Sequence, residues 1–555
     1  MSNIKEIESK LWSMANSLRG TMDASEYKNY ILPFMFYKYL SEHEEKYLIK
    51  NGLEDFFTST KDEEMDYLEE LYKGIGYAIK KEYLWKNIKN RIDNHEIKAS
   101  DFQDMLDSFR DTIEYFKNKD LGENATKDIA ALDDIGTIFS DVNLGDTRLG
   151  NGTNERAKAL IDIVSMIDGF DYKDENGKDV LGDIYEYLIG QFAANAGKKG
   201  GEFYTPYQVS QILARLVTLN VKDLRRQFKV YDPTMGSGSL LLTVEKELPG
   251  ENKVGIVDFY GQELNTTTYN LARMNLMMHD VNYKNMQLRR ADTLGPDWPF
   301  EKSDGIEIPL KFDAVVANPP YSQNWETKEI DRMKDVRFKD YGVAPSSKAD
   351  YAFVLHCLYH LDNTGTMAIV LPHGVLFRGA AEEKIRRKII ENNLLDAVIG
   401  LPANLFYGTS IPTCILVFKG LEARGGRNDI LFIDASNDFV KDKKQNILTE
   451  GNIDKIIETY KNRKSVDKYA HLAQLDEIEA NDYNLNIPRY VDTFEEKETV
   501  PVSDIIMNLE EIDKEINESN IILYQTFSNL KGSDNSASAE LKQLMSYFQN
   551  IVGSN

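Results

Sequence analysis

Hydrophobic and polar positions follow three different rhythms along this chain. In residues 1 to about 170, apolar side chains recur at three- and four-residue spacing, which predicts helices. Tyr27, Tyr30, Ile31, Phe34, Met35 and Tyr39 form one apolar face, with Asp23 or Ser25 placed to cap the helix and Pro33 to kink it. Leu160, Ile161, Val164 and Ile167 form another, with Asn154 as the expected cap. The charged stretch from Glu54 to Thr147 carries no strand pattern, and Gly145 to Gly152 reads as a loop.

From about Tyr172 the rhythm changes. A helix near Val180 to Ala194 runs into Gly197-Lys198-Lys199-Gly200-Gly201, a loop that glycine lets approach a ligand. Thr205-Pro206 then starts a helix, threonine as cap and proline in the first turn. Beyond it, short apolar runs alternate with helical ones. Strands are expected at Lys229 to Asp232, Ile256 to Glu263, Phe312 to Ala317, Met367 to Leu371, Ala397 to Gly400 and Cys414 to Phe418. Helices are expected at Leu240 to Glu247, Thr266 to His279 and Tyr351 to Leu361. This alternation predicts an α/β fold, a mostly parallel sheet with helices on both faces. The third rhythm is an amphipathic one: Ile505, Ile506, Leu509, Ile512, Ile516, Ile521 and Leu523 stand among many acids, and Gly532 to Ser538 joins this stretch to a final short helix.

Composition narrows the class. The chain has 555 residues, 42% hydrophobic and 28% charged, the balance of a globular protein. No apolar run approaches the roughly 18–20 residues of a membrane span, and the first residues lack a signal peptide's apolar core. The two cysteines, Cys357 and Cys414, sit in apolar surroundings at a spacing that fits no zinc site. No metal is expected, and the expected location is the cytoplasm. Ninety acids against 66 bases give a net charge of −24. A protein that grips nucleic acid alone usually carries a basic face, so either the substrate is not nucleic acid or a partner supplies most of the grip.

Four stretches carry chemistry. In Tyr231-Asp232-Pro233-Thr234-Met235-Gly236-Ser237-Gly238-Ser239 a strand ends in an acid and small residues turn into a helix. An acid at that place would repel a pyrophosphate and suits a ligand with ammonium and sulfonium charges, as in S-adenosylmethionine. Glu263 ends the next strand, where a carboxylate accepts ribose hydroxyls. Asp292, after a further strand, is placed to accept from an adenine amino group. In Asn318-Pro319-Pro320-Tyr321 two prolines stop a buried strand and hold an amide and an aromatic ring on a stiff turn. The Asn318 oxygen and the Pro319 carbonyl can accept hydrogen bonds from an amino group and leave its lone pair free. Tyr321 can stack on the base, which must leave its duplex to get there.

Together with Glu202-Phe203-Tyr204-Thr205-Pro206 and Lys348-Ala349-Asp350-Tyr351-Ala352-Phe353, these motifs resemble the modification subunit of type I restriction–modification systems, within the amino-group class of DNA methyltransferases. The resemblance implies a Rossmann-like S-adenosylmethionine-dependent core at residues 171–480, between a helical N-terminal domain at 1–170 and a helical tail at 481–555. It implies transfer of a methyl group to adenine N6, with Glu202, Phe203, Tyr204, Thr205, Pro206, Tyr207, Ser237, Gly238, Ser239 and Glu263 at the cofactor and Asn318, Pro319, Pro320 and Tyr321 at the base. It also implies partners: two modification subunits with one specificity subunit that reads double-stranded DNA, and a restriction subunit that joins them. Ser239 stands where related motifs often carry glycine.

Alternatives separate on the same residues. A nicotinamide-dependent oxidoreductase would give Asn318 to Tyr321 no role. A solitary DNA methyltransferase would need its own recognition domain, and a methyltransferase for RNA or protein glutamine would not need the helical flanks. No G-x-x-x-x-G-K-[ST] loop for an ATP-driven motor occurs in the chain.

Overall fold

The protein is described by a computed structural model covering residues 8–13, 24–119, 135–170, 172–173, 179–195, 204–224, 226–250, 255–295, 299–303, 306–325, 334–406, 409–442, 445–493 and 501–553. The glycine–lysine loop and Glu202-Phe203 lie outside the described residues, as does Asp23.

The N-terminal rhythm is helical as expected. Helices α1 (Ala24–Lys50), α2 (Lys61–Ile75), α3 (Trp85–Asp93), α4 (Ala99–Lys119) and α5 (Thr153–Asp168) surround an aromatic core that includes Phe34, Phe36, Tyr37, Phe102, Phe109 and Phe116. Pro33 sits inside α1 without ending it. The cap expected of Asn154 is not made: α5 begins at Thr153 with Gly152 at its N-cap and no side-chain bond there. Thr60 closes a full capping box on α2 with Glu63.

Helix α6 (Leu181–Asn195) joins this layer, and α7 (Tyr207–Thr218), α8 (Ser239–Glu247) and α9 (Thr266–Met278) lead into the sheet. Tyr39 in α1 donates to the Met277 carbonyl at 2.7 Å, and the Tyr185 hydroxyl of α6 lies 3.3 Å from Met274 Sδ. Both bonds land on α9, so the N-terminal helices are packed directly on the helix that follows the second strand.

Strands β1 (Phe228–Asp232), β2 (Val257–Glu263) and β3 (Met286–Arg290) are followed by a small hairpin, β4 (Phe300–Ser303) with β5 (Ile306–Pro309). Then come β6 (Phe312–Ala317), β7 (Leu361–Pro372), β8 (Leu395–Gly400), β9 (Thr413–Lys419) and β10 (Ile430–Asp434). A second hairpin, β11 (Val440–Lys441) with β12 (Asn446–Ile447), precedes β13 (Ala470–Ala473). Nine of these strands form one sheet in the order β13-β10-β8-β9-β7-β6-β1-β2-β3. The expected strands are all present. Most pairs are parallel, but β9 runs against both neighbours and β13 against β10. Val315 and Val316 point to opposite faces of β6 and are both fully buried, because helices cover both faces.

Strand order reverses at β1, which has β2 on one side and β6 on the other. In open α/β sheets the crevice beyond the carboxyl ends of two such strands is where ligands bind. Here those ends are Asp232 and Asn318. Helices α10 (Asp350–His360) and α11 (Ala381–Glu391) pack on the opposite face from α7 and α8. Residues 481–492, assigned by the sequence to the tail, are packed against the sheet: Leu485, Ile487 and Val491 are buried and Tyr490 stacks on Phe432. The compact unit closes at Asp492. Residues 493–555 form a second unit, in which one helix, α12 (Val502–Ser528), pairs with α13 (Asn535–Gly553) and Phe527 meets Phe548 at 5.5 Å.

Candidate active site

A cleft of about 240 Å³ opens at the crossover point. Its lining includes Tyr204, Thr205, Asp232, Gly236, Ser237, Ser239, Glu263, Asp292, Asn318 and Pro320. Five segments far apart in sequence are thus brought to one cavity. Pro206, Tyr207, Gly238, Pro319 and Tyr321 are not on its wall.

Each strand end is fixed by its own backbone. Asp232 is 1% exposed and accepts from the Thr234 N–H at 2.9 Å, which bends the chain immediately after β1. Burial pushes its carboxyl up to about 7, and the nearby Glu263 pushes the same way. Glu263 accepts from the Asn265 N–H at 2.9 Å, and Asp292 from the Leu294 N–H at 3.0 Å. The three acids therefore face the cleft with one oxygen each engaged in a turn.

The two glycines of the turn do different work. Gly236 has φ +53° and nothing within 4 Å of where a side chain would begin, so its backbone faces open space. Gly238 has φ +75°, and a Cβ there would lie 2.4 Å from Leu276 Cδ1, so it lets α8 close on α9. Asn275 of α9 reaches back and donates to the Ser237 carbonyl at 2.9 Å.

At the other wall Asn318 Nδ2 donates to Thr205 Oγ1 at 2.9 Å. Thr205 therefore does not cap α7, whose N-cap is Pro206 without a side-chain bond. The Tyr321 hydroxyl donates to Asn318 Oδ1 at 2.9 Å, and its ring stands edge-on to Phe406 at 6.0 Å. In this arrangement Tyr321 engages the oxygen expected to receive an amino group, and its ring is turned onto the protein. Burial raises its hydroxyl pKa well above the usual range, so it stays a donor.

A family model described as N-6 DNA methylase matches residues 176–499, and one described as the HsdM N-terminal domain matches residues 7–167. The chain belongs to the N-6 DNA methylase family. This methylase is 38% identical over 517 residues to the type I restriction enzyme MpnII methylase subunit of Mycoplasma pneumoniae, covering 91% of this chain and 93% of that one. It is 30% identical over 495 residues to the MjaVIII methylase subunit of Methanocaldococcus jannaschii, at 87% and 78% coverage. Its structure matches that of the type I restriction-modification methyltransferase subunit from Streptococcus thermophilus with a TM-score of 0.76 and 39% identity, covering 88% of this chain and 100% of that one. Within the family the methylase groups with the type I restriction enzyme methylase subunits, and its activity is that of an adenine-specific DNA methyltransferase.

Some residues of the methylase's cleft carry no motif. Lys28 and Leu32 reach its wall from α1 in this way, whereas Phe353, which ends the Lys348 to Phe353 motif, reaches it from α10. Behind the wall, Arg337 is 2% exposed and donates to the Thr293 carbonyl at 2.9 Å and the Gly295 carbonyl at 2.8 Å. It also lies 3.0 Å from His356 Nδ1, whose Nε2 is 2.7 Å from the Tyr231 hydroxyl. Burial, the neighbouring His360 and Arg337 hold His356 far below its usual pKa, so it stays neutral. The network braces the Asp292 loop against β1. Arg337 lies in a long polar stretch after Tyr321, where no local spacing marks it as a buttress.

Proposed function

We propose that this methylase transfers a methyl group from S-adenosylmethionine to N6 of an adenine flipped out of double-stranded DNA, within a type I complex whose specificity subunit reads the sequence. The observation that carries this is the crossover cleft, where Asn318 faces three carboxylates and an open glycine backbone. The donor set fits the cofactor. Asp232 suits its ammonium group, Glu263 its ribose hydroxyls, Asp292 its adenine amino group and Gly236 a close approach. Tyr204, Thr205, Ser237 and Ser239 complete the wall, with Pro206, Tyr207 and Gly238 holding that wall in place. When bound, S-adenosylmethionine supplies an electrophilic methyl group.

Asn318 Oδ1 and the Pro319 carbonyl accept the two hydrogens of the target amino group. The nitrogen lone pair then points toward the cofactor side, and positioning supplies most of the acceleration. Tyr321 releases Asn318 and stacks on the base. The net charge of −24 is reconciled by assembly: the specificity subunit, shared by two methylase chains, brings most of the DNA grip, and a restriction subunit cuts. The N-terminal helices serve assembly and clamping, and the C-terminal unit serves subunit contact. The cytoplasm is the compartment for this work.

Tritium transfer from labelled cofactor to plasmid DNA tests the reading, with and without the specificity subunit. Transfer is expected only in the mixture. Asn318→Ala is expected to abolish it while cofactor affinity stays nearly unchanged; equal activity in the variant would refute the catalytic assignment.

A further inference from the structure

Ser322, the residue after the catalytic turn, has φ +51°. Serine rarely adopts this left-handed conformation unless its surroundings impose it. The surroundings are specific. Asp350, fully buried at the start of α10, accepts from the Ser322 N–H at 2.8 Å through Oδ1. Its Oδ2 accepts from Arg378 Nη2 at 2.9 Å. Lys348 Nζ reaches Ser322 Oγ at 3.3 Å, and the Ala349 N–H donates to the Gln323 carbonyl at 2.9 Å. The loop that holds Arg378 is itself pinned by Arg386, which donates to the carbonyls of Val375, Arg378 and Tyr483.

The geometry points to Asp350 as the positioning residue of the catalytic turn. One oxygen fixes the backbone immediately after Tyr321 and the other fixes the carboxylate to a braced guanidinium, so Asn318 to Tyr321 cannot drift from the end of β6. Phe353, one turn further along α10, lines the cleft. The same helix therefore sets the distance between the amino-group clamp and the cofactor wall. Asp350 itself touches neither base nor cofactor in this scheme, which rests on the methyltransferase reading above.

The test is single-turnover methyl transfer by the complex assembled with its specificity subunit, with KM for S-adenosylmethionine and melting temperature measured in parallel. Because an ångström of misplacement at a reacting centre costs on the order of 100-fold, Asp350→Ala is expected to slow transfer by about that factor. Its cofactor KM is expected to stay within about threefold of the parent, since only the clamp has moved. Asp350→Asn keeps the acceptor for Ser322 and loses the ion pair, so a loss of about tenfold at unchanged KM is expected. A merely structural role would not predict the next result: Ser322→Gly, added to Asp350→Ala, restores part of the rate, because glycine adopts a positive φ without being held there. Rates within threefold of the parent in both single variants would overturn the assignment, as would rate and cofactor affinity falling together. If Asp350→Ala fails to fold, Asp350→Asn decides alone, and an undiminished rate there overturns the assignment. Absence of transfer by the parent complex would instead refute the methyltransferase reading.

Discussion

Asp232, proposed above to hold the cofactor's ammonium group, carries a cost in stability. Its carboxyl is pushed up to about 7 by burial, above the value near 4 of an unfolded chain. A raised folded pKa favours the native state below the unfolded value, and this contribution is lost as pH rises from about 4 through about 7. The loss is at most on the order of 4 kcal/mol. Asp232→Asn is therefore expected to melt above the parent at pH 8 and to show no such advantage at pH 4, as calorimetry across that range would reveal. Cofactor binding should move the other way. An ammonium group needs the carboxylate form, so parent affinity should tighten between pH 6 and 8 and the Asn variant's should stay weak throughout. A flat parent profile in titration calorimetry would remove Asp232 from the cofactor site. Tyr321 gives a second test at this scale. Its hydroxyl engages Asn318 Oδ1, while the proposed role needs only its ring. Tyr321→Phe should keep or raise the single-turnover rate, whereas Tyr321→Ala should lower it by about 100-fold. A large loss in the Phe variant would mean that the hydroxyl itself acts in transfer.

Elements carry a different kind of information. The start of β8 is tied down by Asp396, fully buried, which meets Lys419, Arg424, Arg427 and Arg463 and accepts from the Tyr460 hydroxyl at 2.6 Å. Those cations and that hydrogen bond outweigh burial and hold its carboxyl down to about 2. A depressed folded pKa gives stability that is present above the unfolded value near 4 and is lost as pH falls through about 2. Asp396→Ala would leave the cations uncompensated and should cost about 3–5 kcal/mol in urea unfolding at pH 7. A cost below about 1 kcal/mol would show that solvent already neutralises the cluster. Strands such as β6 were legible because burial on both faces leaves a continuous apolar run. The reversed direction of β9 was not, since periodicity carries no polarity. Thr205 ahead of Pro206 has the pattern of a cap, yet its hydroxyl serves Asn318, a tertiary demand that local spacing does not encode. Arg337 and Asp350 were invisible as anchors for the same reason: their partners, the Thr293 and Gly295 carbonyls and His356 for one, the Ser322 N–H and Arg378 for the other, are brought close only by the fold.

The whole molecule consists of two compact units, to which the proposed reading gives different tasks. The sheet unit is complete at Asp492, where Tyr490 and Val491 close its core. The C-terminal unit leaves its apolar stripe bare: Ile505, Leu509, Ile512 and Ile516 are each 46–55% exposed. A stripe of that kind on a long acidic helix is expected to be covered in an assembly, and a chain with net charge −24 needs a partner to approach DNA. Truncation after residue 499 should therefore separate the two tasks. The shortened chain should melt as cooperatively as the parent and bind S-adenosylmethionine with affinity within about threefold, because every residue assigned to the cofactor lies before Asp492. It should fail to co-purify with the specificity subunit and, in consequence, fail to methylate plasmid DNA. Co-purification at undiminished yield would move the subunit contact elsewhere, and the N-terminal helices would be the next surface to test.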